Sequence, residues 1–123
     1  MADGRRTGYR APSASRAGHR AAWSDEGVFV RVWEYRVRPE CVDAFERAYG
    51  AEGDWAQLFG REPGFIGTAL FRDAVDELTF LTVDRWIDEE SWTRFLARRR
   101  GEYDALDDRF RELTDDERDV LTD

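Results

Sequence analysis

Several residue types that carry much of enzyme chemistry are absent or nearly so. The 123-residue chain contains no lysine and no asparagine, and only one cysteine (Cys41) and one histidine (His19). Without lysine there is no Schiff-base nucleophile. His19 falls in an N-terminal stretch without apolar periodicity, so the rest of the chain has no imidazole. That excludes Cys/His zinc sites, haem held through histidine, and Ser–His or Cys–His nucleophile pairs, and no metal site is expected. A lone cysteine cannot close an internal disulfide, which suits a reducing, cytoplasmic compartment; Cys41 reads as a small hydrophobe on a helix. No apolar run approaches the roughly 20 residues of a membrane span. The N-terminal arginines are not followed by an apolar run of signal-peptide length. Tyr49-Gly50-Ala51-Glu52-Gly53 lacks the lysine of a phosphate-binding loop.

The net charge of −8 is unevenly placed. Residues 1–27 carry Arg5, Arg6, Arg10, Arg16 and Arg20 against Asp3, Asp25 and Glu26, a balance of +2, which leaves −10 on the remainder. So acidic a body repels phosphate backbones, so no nucleic-acid partner is expected. Rich in Ala, Gly, Ser and Arg, residues 1–27 read as a disordered basic tail, with Trp23 free to pack on the domain edge. The folded unit is placed at 28–123, one domain.

A hydrophobic fraction of 41% and an aromatic fraction of 14% supply its core. Val28 to Val37 has strand composition, with Val28, Val30 and Val32 on one parity and Phe29, Trp33, Tyr35 and Val37 on the other. Pro39 opens a helix carrying Val42, Phe45, Ala48 and Tyr49. A second helical piece runs from Asp54, as N-cap, to Phe59, and Glu62-Pro63-Gly64 marks a turn. Phe65 to Arg72 and Leu78 to Trp86 read as strands joined by Asp73–Glu77 into a hairpin. Asp88 caps a long helix whose stripe includes Trp92, Phe95, Leu96, Tyr103, Leu106, Phe110 and Leu113, with a kink or a break into two helices expected at Gly101 and Arg98-Arg99-Arg100 facing solvent. For Glu117–Asp123 two readings stay open: a short fourth strand carrying Val120 and Leu121, or helix and coil.

That order is the ferredoxin-like βαββαβ plan with an antiparallel sheet, in the α+β class and with a weak fourth strand. Two helices cover one sheet face only, yet the first and third strands are apolar on both. A second copy packed sheet against sheet, a homodimer, is the economical cover.

From Phe29 to about Glu117 the chain resembles the antibiotic biosynthesis monooxygenase superfamily of dimeric α+β barrels. The residues that carry the likeness are Arg38-Pro39-Glu40 after the first strand, Pro63-Gly64-Phe65 opening the second, and Asp84-Arg85-Trp86-Ile87-Asp88 leading from the third into a helix. Tyr49-Gly50, Gly53-Asp54-Trp55, Leu58-Phe59, Tyr103 and Leu106-Asp107 resemble one branch of it. The superfamily includes enzymes that oxygenate aromatic polyketides to quinones without metal or flavin, and enzymes that degrade haem. The haem branch relies on a helical histidine and a first-strand asparagine; this chain has Phe95 and Leu96 on the corresponding helix and no asparagine. The resemblance therefore implies a cofactor-independent monooxygenase acting on an aromatic or quinonoid small molecule.

Such chemistry needs a base, donors for a developing oxyanion and a dry pocket. The third strand puts Thr82, Asp84 and Trp86 on one parity. Asp84 is the candidate base, Trp86 a stacking wall or indole donor, and Tyr49 a third catalytic candidate. Trp55, Phe59, Trp33 and Arg72 are the candidate ligand-binding residues, with Arg72 or Arg85 set against an oxyanion. Each also has a structural reading: the tryptophans and Tyr49 as core, Asp84 as the partner of Arg72 or Arg85. The alternative function is a non-catalytic homodimer that binds or sequesters a small hydrophobic ligand.

Overall fold

The computed structural model describes residues 28–121 and the backbone of a two-residue strand, β1 (Tyr9–Arg10). Apart from that strand, the expected tail and Trp23 lie outside the described residues. The remaining elements are β2 (Phe29–Val37), α1 (Val42–Tyr49), α2 (Asp54–Phe59), β3 (Phe65–Asp73), β4 (Thr79–Trp86), α3 (Glu89–Phe110) and β5 (Thr114–Asp119). The sheet order is β1-β3-β4-β2-β5, antiparallel at every described pairing. Its four long strands have the ferredoxin-like arrangement, the chain's two βαβ halves interleaved.

Strand parity decides which side chains meet the helices. Phe29, Trp33, Tyr35 and Val37 of β2, Leu70 of β3, and Phe80 and Trp86 of β4 join one aromatic core with Phe45 and Tyr49 of α1, Trp55, Leu58 and Phe59 of α2, and Trp92 and Phe95 of α3. Val37, Phe45, Trp86 and Phe95 have no exposed surface. Their rings meet mostly edge-on or tilted, as at Phe59–Phe95 (5.2 Å, 80°) and Phe65–Trp86 (5.1 Å, 62°), the geometry that ring quadrupoles favour. The opposite parity builds the other face. Val28, Val30, Val32, Phe71 and Leu81 there are half-buried, and Ala69 and Val83 are buried.

Local chemistry sets the joints. Pro39 opens a 3₁₀ turn, Pro39–Cys41, ahead of α1. Asp54 is the first residue inside α2; the capping position belongs to Gly53, whose missing Cβ would fall 2.3 Å from the Arg47 carbonyl oxygen. Asp88 caps α3 by accepting from the Ser91 backbone N–H at 2.8 Å. A Cβ on Gly64 would sit 2.1 Å from Ser91 Oγ, so only glycine lets the turn before β3 pass this helix start. Cys41 is half-buried against the core.

Two expectations need correction. The kink in α3 falls at Arg99 (φ −128°, ψ 31°), while the flexible Gly101 stays helical. The cause is electrostatic: Arg99 reaches Glu62 (3.1 Å) and Glu102 (3.1 Å), and Arg98 also pairs with Glu62 (3.4 Å). The Glu62 carboxylate is 2% exposed, so the pairing with it outweighs regular helical dihedrals. Arg98 and Arg100 face solvent as expected, with side chains 61% and 64% exposed, while Arg99, at 29%, is the one drawn in. The fourth strand forms, but over Thr114–Asp119, upstream of Val120 and Leu121. Backbone pairing with β2 holds it, reinforced by Arg118–Glu34 (2.6 Å), Arg38–Asp115 (3.2 Å) and Arg31–Asp119 (3.5 Å).

Candidate functional site

Halfway along the helix-facing side, the close packing opens into a cavity of about 40 Å³. Every long element of the domain contributes to it. The sheet supplies Trp33 and Tyr35 of β2, Thr68 of β3, Thr82 and Asp84 of β4 and Glu117 of β5; the helices supply Tyr49 of α1, Trp55 and Phe59 of α2, and Tyr103 and Asp107 of α3. Side chains alternate across a strand, so a polar pair at Thr82 and Asp84 falls between the buried rings of Phe80 and Trp86 on the same face.

Asp84 is the floor. Across the ladder it faces Arg31 of β2 and Thr68 of β3, and the Thr68 hydroxyl donates to its Oδ1 at 2.7 Å. Burial raises its pKa to about 6, against the Thr68 hydrogen bond and the Arg31 charge, which lower it. A carboxyl titrating there is a base near neutrality. Arg31 itself lies over the Trp92 ring (4.5 Å) and pairs with Asp119 at 3.5 Å.

The phenols around Asp84 hold their protons. Burial pushes Tyr35 well above its ordinary value, and the charges of Tyr49 and Asp84 add to this. Tyr49 and Tyr103 are raised mainly by burial too. After burial the Trp55 indole N–H beside Tyr49 is the largest influence on its hydroxyl and pulls it the other way, yet among the described residues no acceptor meets that N–H at hydrogen-bonding geometry. The cavity therefore combines a carboxylate base with neutral donors, which can take a proton from a phenol or activated methylene and stabilise the resulting oxyanion.

Of the residues singled out from the sequence, the structure brings together Asp84, Tyr49, Trp55, Phe59 and Trp33. Trp86 and Arg72 are elsewhere. Trp86 is fully buried among Phe59, Phe65, Trp92 and Phe95, outside the cavity wall. Arg72 donates to the Glu77 carbonyl at 2.8 Å and covers the Phe80 ring at 5.0 Å. Asp84 accepts a hydrogen bond from Thr68, and the arginine set against it across the ladder is Arg31. The sequence reading missed Tyr35, Thr68, Tyr103, Asp107 and Glu117 as wall residues. Tyr35 and Tyr103 sit on apolar stripes the sequence displays, but Asp107 and Glu117 carry no signal short of the tertiary fold. Among the described residues no group of three or more His, Cys, Asp or Glu is placed to hold a metal ion, and no helix is long and apolar enough to cross a membrane.

Residues 28–102 match the family model of the antibiotic biosynthesis monooxygenases. The chain belongs to that family. No curated protein matches it. Among solved structures it is similar to a candidate monooxygenase from Lactobacillus acidophilus (TM-score 0.61, 10% identity, 76% of this chain and 43% of that one). It is also similar to one from Fusobacterium nucleatum (TM-score 0.57, 11% identity, 78% and 42%). The chain thus spans less than half the length of these two. SnoaB, a cofactor-independent oxygenase from Streptomyces nogalater, matches nearly end to end (TM-score 0.53, 20% identity, 80% and 95%). At these identities the likeness to solved structures establishes the shared fold of the family domain.

Proposed function

We propose that this family member is a cofactor-independent monooxygenase acting on an aromatic or quinonoid small molecule, with Asp84 as the base. The observation that carries the reading is a half-buried carboxylate, raised toward neutrality, inside an aromatic cavity. Asp84 removes a proton from an activated phenol or anthrone. The electron-rich anion then reduces oxygen itself, which is why the protein need supply no redox group. For an anthrone the balance is a methylene plus dioxygen giving a carbonyl plus water. Tyr35, Tyr49 and the Trp55 N–H supply donors to the oxyanion.

A volume of about 40 Å³ holds a few waters, so a ring enters only as side chains in the wall turn aside. Trp55 and Tyr103, packed edge to face at 5.1 Å across α2 and α3, are part of that wall. Incubating the protein with anthrone-type substrates should raise quinone formation and oxygen uptake above the buffer rate, and Asp84→Asn should abolish the gain. Binding that quenches tryptophan fluorescence without any turnover would favour the sequestering reading instead.

The same reading has the protein as a soluble, cytoplasmic homodimer packed through the second sheet face. Its support is the row Val30, Val32, Phe71 and Leu81, half-buried on the side away from the helices. Light scattering that finds only a 14.4 kDa species would remove it.

A further inference from the structure

We infer that the ligand of this cavity carries a positive charge, a protonated amine attached to an aromatic ring. The inference concerns the same cavity as the oxygenase reading but rests on its charge, and it stands or falls separately from turnover. Three carboxylates, Asp84, Asp107 and Glu117, line the space, and no arginine does. Asp107, Glu117 and Tyr49 also line an open groove on the surface, where Asp115 and Asp116 extend the acidic lane outward. The arginine of that groove, Arg111, is engaged with Asp108 at 2.5 Å. The charges at the mouth are only partly cancelled: Arg38 meets Asp115 at 3.2 Å and Arg111 pulls Glu117 down, yet burial and then Asp107 and Asp116 still leave Glu117 above its ordinary value. An anion entering here meets like charge at each step, whereas a cation is drawn inward and is met by aromatic faces that favour it.

A second observation fixes the other end of the ligand. Trp55 is 8% exposed and forms part of the wall, yet among the described residues its indole N–H, beside the Tyr49 hydroxyl, meets no acceptor at hydrogen-bonding geometry. A buried donor of that kind calls for an acceptor on the guest. A phenol or aryl ketone oxygen at Trp55, with an ammonium between Asp107 and Glu117, satisfies both ends at once.

Three single-ring probes differing in charge test this: tyramine (cation), tyrosol (neutral) and 4-hydroxyphenylacetate (anion), titrated against the full chain by calorimetry. Tyramine is expected to bind at least about tenfold more tightly than tyrosol, with the anion weakest. The doubly substituted Asp107→Asn, Glu117→Gln protein should lose that preference while keeping its affinity for tyrosol. Trp55→Phe should weaken tyramine and tyrosol alike and leave their ratio unchanged. Equal or tighter binding of tyrosol or the anion overturns the inference, as does a tyramine preference that survives the double substitution, or no binding of any probe to protein with native circular dichroism. Tyramine selectivity without oxygen uptake on any substrate would sink the oxygenase reading and leave this one intact.

Discussion

Along β4 the positions facing the helices divide into two kinds of environment. Phe80 and Trp86 are 1% and 0% exposed; Phe80 packs on Phe45 under the Arg72 guanidinium, and Trp86 among Phe59, Phe65, Trp92 and Phe95. Thr82 and Asp84, between them on the same face, line the cavity. One strand with one periodicity therefore builds a dry core at its ends and a polar cavity wall in its middle. The difference lies in side-chain chemistry alone, because the backbone pairs with β2 and β3 along the whole length. A site of this kind costs stability. A carboxylate at Asp84 sits where a hydrophobe would pack better, and on the same cavity wall the Trp55 N–H goes without an acceptor at hydrogen-bonding geometry among the described residues.

The contrast predicts unequal responses to substitution. Phe45→Ala, in the dry part beside Phe80, should lose about 3–5 kcal/mol of stability by denaturant unfolding, because a fully buried ring leaves a cavity that cannot collapse. Asp84→Asn should act in the opposite sense on stability while lowering turnover by a factor of about 10² or more. The sign follows from the raised pKa: the folded protein holds the Asp84 proton more tightly than the unfolded chain does. Wild-type stability should therefore fall as pH rises from about 4 to about 6 and level off above, by up to roughly 3 kcal/mol. The Asn variant should lack that descent.

Glu62→Gln comes next. It removes the buried charge that holds Arg98 and Arg99, and should cost about 1–3 kcal/mol, read as a lowered thermal midpoint. Because this clamp sits at the kink that aims the second half of α3, the same variant should loosen the wall at Tyr103, seen as altered tryptophan emission. Arg72→Ala should do least, within about 0.5 kcal/mol of wild type and with unchanged turnover, since its side chain lies outside the cavity. A large loss of activity in that variant would break the boundary drawn between site and surround.

How much of this was legible beforehand depended on which physical signal each element carries. The first and third strands announced themselves through β-branched and aromatic alternation, and Asp88 through the capping chemistry of a long helix. Thr82 and Asp84 were visible as polar interruptions on an otherwise buried parity. β5 was not, because Thr114–Asp119 is an edge strand of charged residues whose only advertisement is backbone pairing and cross-strand ion pairs. The kink at Arg99 hid for a related reason: its cause, Glu62, lies 37 residues away. Trp86 looked like a site residue from parity alone; the helices close over it and open only over its neighbours.

The most direct measurement is oxygen uptake with an anthrone substrate across pH 4.5 to 8, on wild type and Asp84→Asn side by side. Wild-type turnover should rise with pH through about 6 as Asp84 ionises and then level off, and the Asn variant should stay flat near the buffer rate. A wild-type rate no faster than buffer, or an Asn variant that keeps the wild-type rate and pH profile, would contradict the assignment of Asp84 as the base of this site.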